Sequence, residues 1–314
     1  MSLSIIEKTI EKTEYSYSND TGDAQITVYH VFPGVEVAYA SIHMGDFDFG
    51  LTGKMFQEHY IGIQYCKEGR IEQEINNEFL YLMPSDCSVV IQDKREKIFK
   101  LPLKHYHGII IGIDLKITEN PLVIFLQECG ISPLKAGKHV CGEDCHIVLR
   151  SSEPLKSFFS ELYKIDIEQR FHYLRIKLPE LFYHLMYSKK EKCKCDSTMV
   201  SRTQVDFVKR VAEYISENIN EKITIKNLTM EFGVSDTYLQ NSFRNVYGMP
   251  VITFIRAQKM QSAAQVLIHT TRSVDEIAEE FGYENESKFS AAFKKIMGDS
   301  PGVYRKEHSK VKVL

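Results

Sequence analysis

The feature that most constrains this chain is a pattern written twice in its last third. Thr224 precedes the run IKNLTMEF, the turn Gly233-Val234-Ser235 follows, and DTYLQNSFRNVYG comes next. The pattern then recurs. Ser273 precedes VDEIAEEF, Gly282-Tyr283 turns the chain, and NESKFSAAFKKIMG follows, so that Phe243 returns fifty positions later as Phe293. Ser or Thr before an apolar-periodic run marks a helix start, because the hydroxyl satisfies an orphaned backbone N–H, and Gly after the run marks a stop. Each unit, at about 224–247 and 273–298, is therefore expected to be helix, tight turn, helix. Leu228, Phe232 and Phe243 would meet in the first unit, and Ile277, Phe281 and Phe293 in the second. Duplication makes a chance match improbable.

Two further helices are expected around these units. VDFVKRVAEYISENI places Phe207, Val208, Val211 and Ile215 on one side. Pro250 opens VITFIRAQKMQSAAQVLIHT, a helix of some nineteen residues that spans about 28 Å at 1.5 Å per residue. Successive major grooves on one face of DNA lie roughly 34 Å apart. One rigid helix thus has the length to hold two second helices a DNA turn apart.

From Phe207 to Arg305, about a third of the chain, the residues resemble the DNA-binding domain of AraC-type transcriptional regulators. The most specific stretch is SVDEIAEEFGYENESKFSAAFKKIMGDSPGVYRK. Its Ile277, Ala278, Gly282, Tyr283, Phe289, Phe293, Lys294, Lys295, Gly298, Ser300, Pro301, Tyr304 and Arg305 meet the family pattern. The resemblance implies that the second helix of each unit enters the major groove. Thr237, Gln240 and Asn241 of the first unit would then face bases, as would Glu286, Ser287, Lys288, Ser290 and Ala291 of the second. Gln and Asn pair bidentately with adenine edges, which favours Gln240 and Asn241 for sequence readout. Ser235 at a capped helix start, Arg244, Lys294 and Lys295 would contact the phosphate backbone. Three residues depart from the pattern or its chemistry. Ala291 and Gln258 stand where many relatives carry Arg, and Glu286 repels phosphate unless it accepts from a cytosine.

The N-terminal part reads differently. From Ala24 to about Leu115, short alternating or β-branched runs such as ITVYHVF, VEVAYASIHM, YIGIQYC, IEQEI, FLYLM, SVVIQ and YHGIIIGIDL are separated by turn residues. This predicts an antiparallel barrel or sandwich. Helical periodicity takes over near Asn120-Pro121 and again at Ser152-Glu153-Pro154. HYLRIKLPELFYHLMYS then places Leu174, Leu178, Leu181, Phe182 and Leu185 on one face, with Pro179 expected to bend the helix. The helices at 153–187 are a candidate dimer surface. KKEKCKCDSTM is charged, small and aperiodic and reads as a linker over 189–201. The organisation expected is therefore α+β. An effector-sensing and dimerisation domain spans 1–188, and an all-α DNA-binding domain spans 202–314. The resemblance implies that the first is a cupin-like β-barrel holding a small-molecule effector.

Bulk properties agree with two domains. A 314-residue chain with 43% hydrophobic and 26% charged residues can build two cores and is not a disordered chain. The start, MSLSIIEKTIEKTEY, lacks a signal-peptide pattern, and no apolar run is long enough for a spanning helix, so a cytoplasmic location is expected. Residues 1–201 hold 23 Lys+Arg and 28 Asp+Glu, a net −5, whereas residues 202–314 hold 16 and 14, a net +2. Charge alone does not name DNA as the partner.

Candidate N-terminal sites are less defined. Tyr29, Tyr39, Tyr65, Tyr81, His105 and His107 are candidate effector-pocket residues, although a barrel of this size fills much of its interior with its own side chains. His105 and His107 have the spacing that puts both imidazoles on one strand face, but no downstream Glu and His set completes a metal site. Seven cysteines all precede residue 200, and in a cytoplasmic chain they are expected as thiols. Cys141, Cys145, Cys193 and Cys195, with Cys129 and His139, form a candidate metal or redox cluster whose spacing matches no standard zinc pair.

Control by an organic effector, by metal or by cysteine oxidation thus stays open. So does a cupin-type metalloenzyme fused to a DNA-binding domain. The leading expectation is a non-enzymatic activator with no cofactor and no metal site. Its partners would be promoter DNA, RNA polymerase and a second copy of itself.

Overall fold

A computed structural model describes residues 2–19, 22–44, 47, 60–75, 78–91, 99–117, 119–141, 146–150, 152–187, 199–221 and 223–308. The expected linker residues 189–198 and Cys145, Cys193 and Cys195 lie outside the described residues. The chain divides into two compact units, Met1–Val200 and Ser201–Leu314.

The first unit is built on two antiparallel β-sheets. Its strands are β1 (Ser2–Lys8), β2 (Lys12–Asn19), β3 (Gly22–Phe32), β4 (Val35–His43), β5 (Tyr60–Gly69), β6 (Ile71–Ile75), β7 (Glu78–Leu82), β8 (Cys87–Ile91), β9 (Phe99–Lys100), β10 (Tyr106–Asp114), β11 (His146–Leu149) and β12 (Met199–Ser201). The larger sheet runs β1-β2-β3-β4-β10-β5-β8-β11 and the smaller β12-β7-β6-β9. At the centre of the larger sheet, β10 pairs antiparallel with both β4 and β5. Its sequence YHGIIIGID is apolar almost throughout because both faces are covered. Ile109, Ile111 and Ile113 join a core with Val37, Tyr39, Ile63 and the helices, while Ile110 joins the other core with Ala38, Ile42, Leu80 and Leu82 of the two sheets.

Four helices pack on the first face: α1 (Pro121–Glu128), α2 (Pro133–Cys141), α3 (Glu153–Lys164) and α4 (Arg170–Met186). Asn120 caps α1, its Oδ1 accepting from Leu122 N at 3.0 Å. Leu174, Leu178, Leu181, Phe182 and Leu185 of α4 are all buried, as their spacing predicts, and Pro179 sits inside the helix.

The structure adds elements that the sequence pattern does not announce. β1 and β2 precede the first expected strand; Ile5 and Ile6 of β1 are both exposed, and the register shifts between Ile5 and Glu7, so no clean alternation can be read. α2 carries Gly137 in its interior, which weakens its helical signal.

The second unit is all-α: α5 (Arg202–Glu217), α6 (Ile225–Phe232), α7 (Asp236–Tyr247), α8 (Val251–His269), α9 (Val274–Glu280), α10 (Glu286–Met297) and α11 (Pro301–His308). Among the described residues no helix is long and apolar enough to cross a membrane.

Candidate nucleic-acid interface

Local chemistry starts α6, α7, α9 and α10, each with a side-chain cap. Thr224 Oγ1 accepts from Asn227 N at 3.2 Å to start α6. Gly233 ends it in the left-handed region at φ 63°, where Val234 N reaches back to the Thr229 carbonyl at 3.2 Å. Ser235 Oγ then accepts from Tyr238 N at 3.2 Å to start α7. In the second unit a capping box starts α9: Ser273 Oγ accepts from Glu276 N at 3.1 Å, and Glu276 Oε2 accepts from Ser273 N at 2.8 Å. Hydrogen bonding from the Ser273 backbone N–H, and then from its side chain, holds the Glu276 carboxyl below its ordinary value. Asn285 Oδ1 accepts from Lys288 N at 2.9 Å to start α10.

Packing fixes the helices against each other. Phe243 and Phe293 are both fully buried. Phe293 shares a core with Met260, Leu267, Ile277, Phe281 and Phe289, so α8, α9 and α10 close on one cluster. In the first unit Phe243 packs edge-on to Phe254 of α8 at 5.4 Å, and Gln204 Nε2 of α5 donates to Ser242 Oγ of α7 at 2.9 Å. Lys259 Nζ on α8 donates to the Phe281 carbonyl at 3.0 Å and the Glu221 carbonyl at 3.3 Å, and its partial burial lowers its pKa.

What remains outward on α7 and α10 is mostly polar, with Tyr238, Ala291 and Ile296 exposed among the polar side chains. Thr237, Asn241 and Arg244 lie at helical spacing and are exposed. Gln240, on the same face, is half-buried, and its Oε1 has no hydrogen-bond partner among the described residues. Ser235 is exposed with its hydroxyl committed to the cap. On α10, Glu286, Ser287, Lys288, Ala291, Lys294 and Lys295 are exposed and Ser290 is half-buried. Lys288 Nζ pairs with Glu284, but both side chains stand mostly in solvent, where such a pair contributes little. Each unit therefore presents the N-terminal half of a capped helix with an uncovered polar face.

The N-terminal candidates fall in three places. Tyr29, Tyr39 and Tyr65 share the core beneath the helices, with Tyr29 edge-on to Tyr39 at 5.8 Å and Tyr65 stacked on Phe159 at 4.3 Å. Tyr81 lies apart in the smaller sheet, donating to Glu72 Oε2 at 2.7 Å under the Arg70 guanidinium. His105 and His107 meet His43 at one end of β10. Two residues absent from the sequence reading join the tyrosines. Tyr163 of α3 packs edge-on to Tyr39 at 5.7 Å, and the Arg170 guanidinium sits 4.5 Å over the Tyr39 ring. The signal for Tyr163 was available, since it follows Phe159 by one helical turn. Of the cysteine candidates, Cys129 is exposed, while Cys141 is buried with its thiol directed at the Val89 carbonyl.

Two capped helix pairs braced by one long helix define the second unit as a double helix-turn-helix domain. Residues 228–307 match the family model described as a helix-turn-helix domain. The chain is 38% identical over 99 residues to the F1 operon positive regulatory protein of Yersinia pestis, covering 31% of this chain and 33% of that protein. It is 28% identical over 102 residues to the transcriptional activator AarP of Providencia stuartii, covering 32% of this chain and 76% of the relative. Among solved structures, the C-terminal domain of AraT, a response regulator from Geobacillus stearothermophilus, aligns at 31% identity and a TM-score of 0.33, covering 34% of this chain and 90% of that one. The C-terminal domain of this chain is an AraC-type helix-turn-helix domain.

Proposed function

We propose that this protein is a transcriptional regulator that reads promoter DNA through α7 and α10 and takes an input at its N-terminal unit. The observation that carries the reading is the presence of two AraC-type units on one chain, each with an uncovered polar face on its second helix. Thr237, Gln240 and Asn241 read bases in the first unit, and Glu286, Ser287, Lys288 and Ser290 face bases in the second. Gln240 Oε1 is buried without a partner among the described residues, so it fits this role by turning outward, where its amide oxygen gains a hydrogen bond at a base edge. Ser235, Arg244, Lys294 and Lys295 hold the phosphates, adding affinity without sequence information.

Activation is the sign we assign, with RNA polymerase as partner, on the strength of relatives named as a positive regulatory protein and an activator. The input is a small molecule bound beneath α3 and α4. Supporting this, the Tyr29 and Tyr163 hydroxyls are buried with no hydrogen-bond partner among the described residues. Burial holds the Tyr163 phenol in its neutral, donating form. The chain dimerises through the outer face of α4 and the residue that ends it, where Ile176, Tyr183 and Tyr187 are 76%, 53% and 67% exposed. Effector binding then biases DNA affinity through a coupling free energy between the two sites.

Fluorescence anisotropy on the DNA flanking the protein's own gene, across a salt series, tests the reading. The Gln240→Ala, Asn241→Ala double variant is expected to lose specific binding by tenfold or more, as contacts of about 1–3 kcal/mol each require. Weak salt-dependent binding should persist. If wild type binds this DNA no better than random sequence, even with cell extract supplying effectors, the reading fails.

A further inference from the structure

Three imidazoles meet at one end of the larger sheet. His43 closes β4, His107 lies in β10, and His105 lies in the turn before it; antiparallel register sets His107 beside Ser41 of β4 and Glu68 of β5. His107 Nε2 is 2.9 Å from His43 Nε2. The Ser41 hydroxyl stands 3.3 Å from the first nitrogen and 3.5 Å from the second. Gly69, at φ 83°, allows the His105 turn to lie against the end of β5, because any Cβ there would collide with the His105 carbonyl.

The far nitrogens of two rings are already engaged. His107 Nδ1 is 3.5 Å from Glu68 Oε2, and His105 Nδ1 is 3.4 Å from the Leu103 carbonyl oxygen. The Leu103 carbonyl can only accept, so His105 Nδ1 carries the proton and its Nε2 keeps its lone pair, while the Glu68 carboxylate stands near His107 Nδ1 without a hydrogen bond and favours the same tautomer there. A carboxylate or carbonyl behind a neutral imidazole is the arrangement that orients a metal-ligating histidine.

We propose that His43, His105 and His107 form a site for a borderline divalent metal ion of the zinc, nickel or copper class, with Glu68 and the Leu103 carbonyl orienting two of the rings. Imidazole suits these ions. Two imidazoles on one tetrahedral ion at about 2.0–2.1 Å place their ring centres about 5 Å apart. The His43 and His107 rings are 4.8 Å apart. His105 lies 6.5 Å from each, so as the described side chains stand no three of them close on one ion, and rotation must bring His105 in by somewhat over an ångström on the same estimate. His43 is exposed, which leaves the fourth position to water. The sequence offered only the His105-x-His107 pair; its partners lie upstream on other strands.

The test strips the full-length protein with a chelator and titrates it with Co(II), then with Zn(II) against a chromophoric competitor, near pH 7.5. Wild type is expected to bind one Co(II) with the visible d–d bands of nitrogen and oxygen ligation and no thiolate charge-transfer band from this site. His107→Ala and the surface change His43→Gln should each weaken that binding at least tenfold. Glu68→Gln should weaken it about 10–100-fold. Circular dichroism establishes that each variant is folded. No metal uptake by wild type, as a proton-sharing histidine pair alone would give, overturns the proposal. So does uptake unchanged in both folded His43 and His107 variants, or binding whose only signature is thiolate. No readout involves DNA, so the result stands apart from the regulator reading.

Discussion

Tyr29 and Tyr163 place phenol hydroxyls in the core beneath α3 and α4, and neither finds a hydrogen-bond partner among the described residues. Leaving such a group unpaired costs about 1–3 kcal/mol relative to its hydration. Tyr39, between them, has its hydroxyl satisfied by the Leu162 carbonyl at 3.1 Å. The two unpaired phenols are therefore where the small molecule we propose as effector would gain most. Without effector, Tyr163→Phe is expected to leave stability unchanged or raise it by about 1 kcal/mol, while the same change weakens the effector's hold on DNA binding. Urea unfolding measures the first effect and anisotropy the second. A loss above about 2 kcal/mol in the effector-free protein would show that the hydroxyl has a structural partner.

Among the elements, those that local chemistry decides are the ones the sequence makes legible. Thr224, Ser235, Ser273 and Asn285 each cap the helix that follows, and Gly233 takes the positive φ that a left-handed helix stop requires. Ser273→Ala removes one side of a capping box and is expected to cost about 1 kcal/mol, lowering the unfolding midpoint without shifting DNA sequence preference. A change in preference would mean that Ser273 touches DNA directly. Elements decided by tertiary context were harder to read. β1 shows no alternation because its isoleucines face solvent, and α2 is helical despite Gly137. The meeting of His43 with His107 depends on which residue of β4 lies opposite which of β10, and a single sequence carries no such register. For the same reason the six N-terminal candidates, similar in type, divide among three locations.

In the second unit α7 and α10 both pack on α8, whose 19 residues span about 28 Å. The second unit's net charge of only +2 makes placement, more than field, the source of affinity. Hydroxyl-radical footprinting of the full-length protein, on a site selected from random duplexes, tests this most directly. Each bound chain is expected to protect two segments centred about 10 base pairs apart. Asn241→Ala should erase one, and a Ser287→Ala, Lys294→Ala variant should weaken the other. A single protected segment per chain, or two segments that respond alike to both variants, would contradict the two-helix reading.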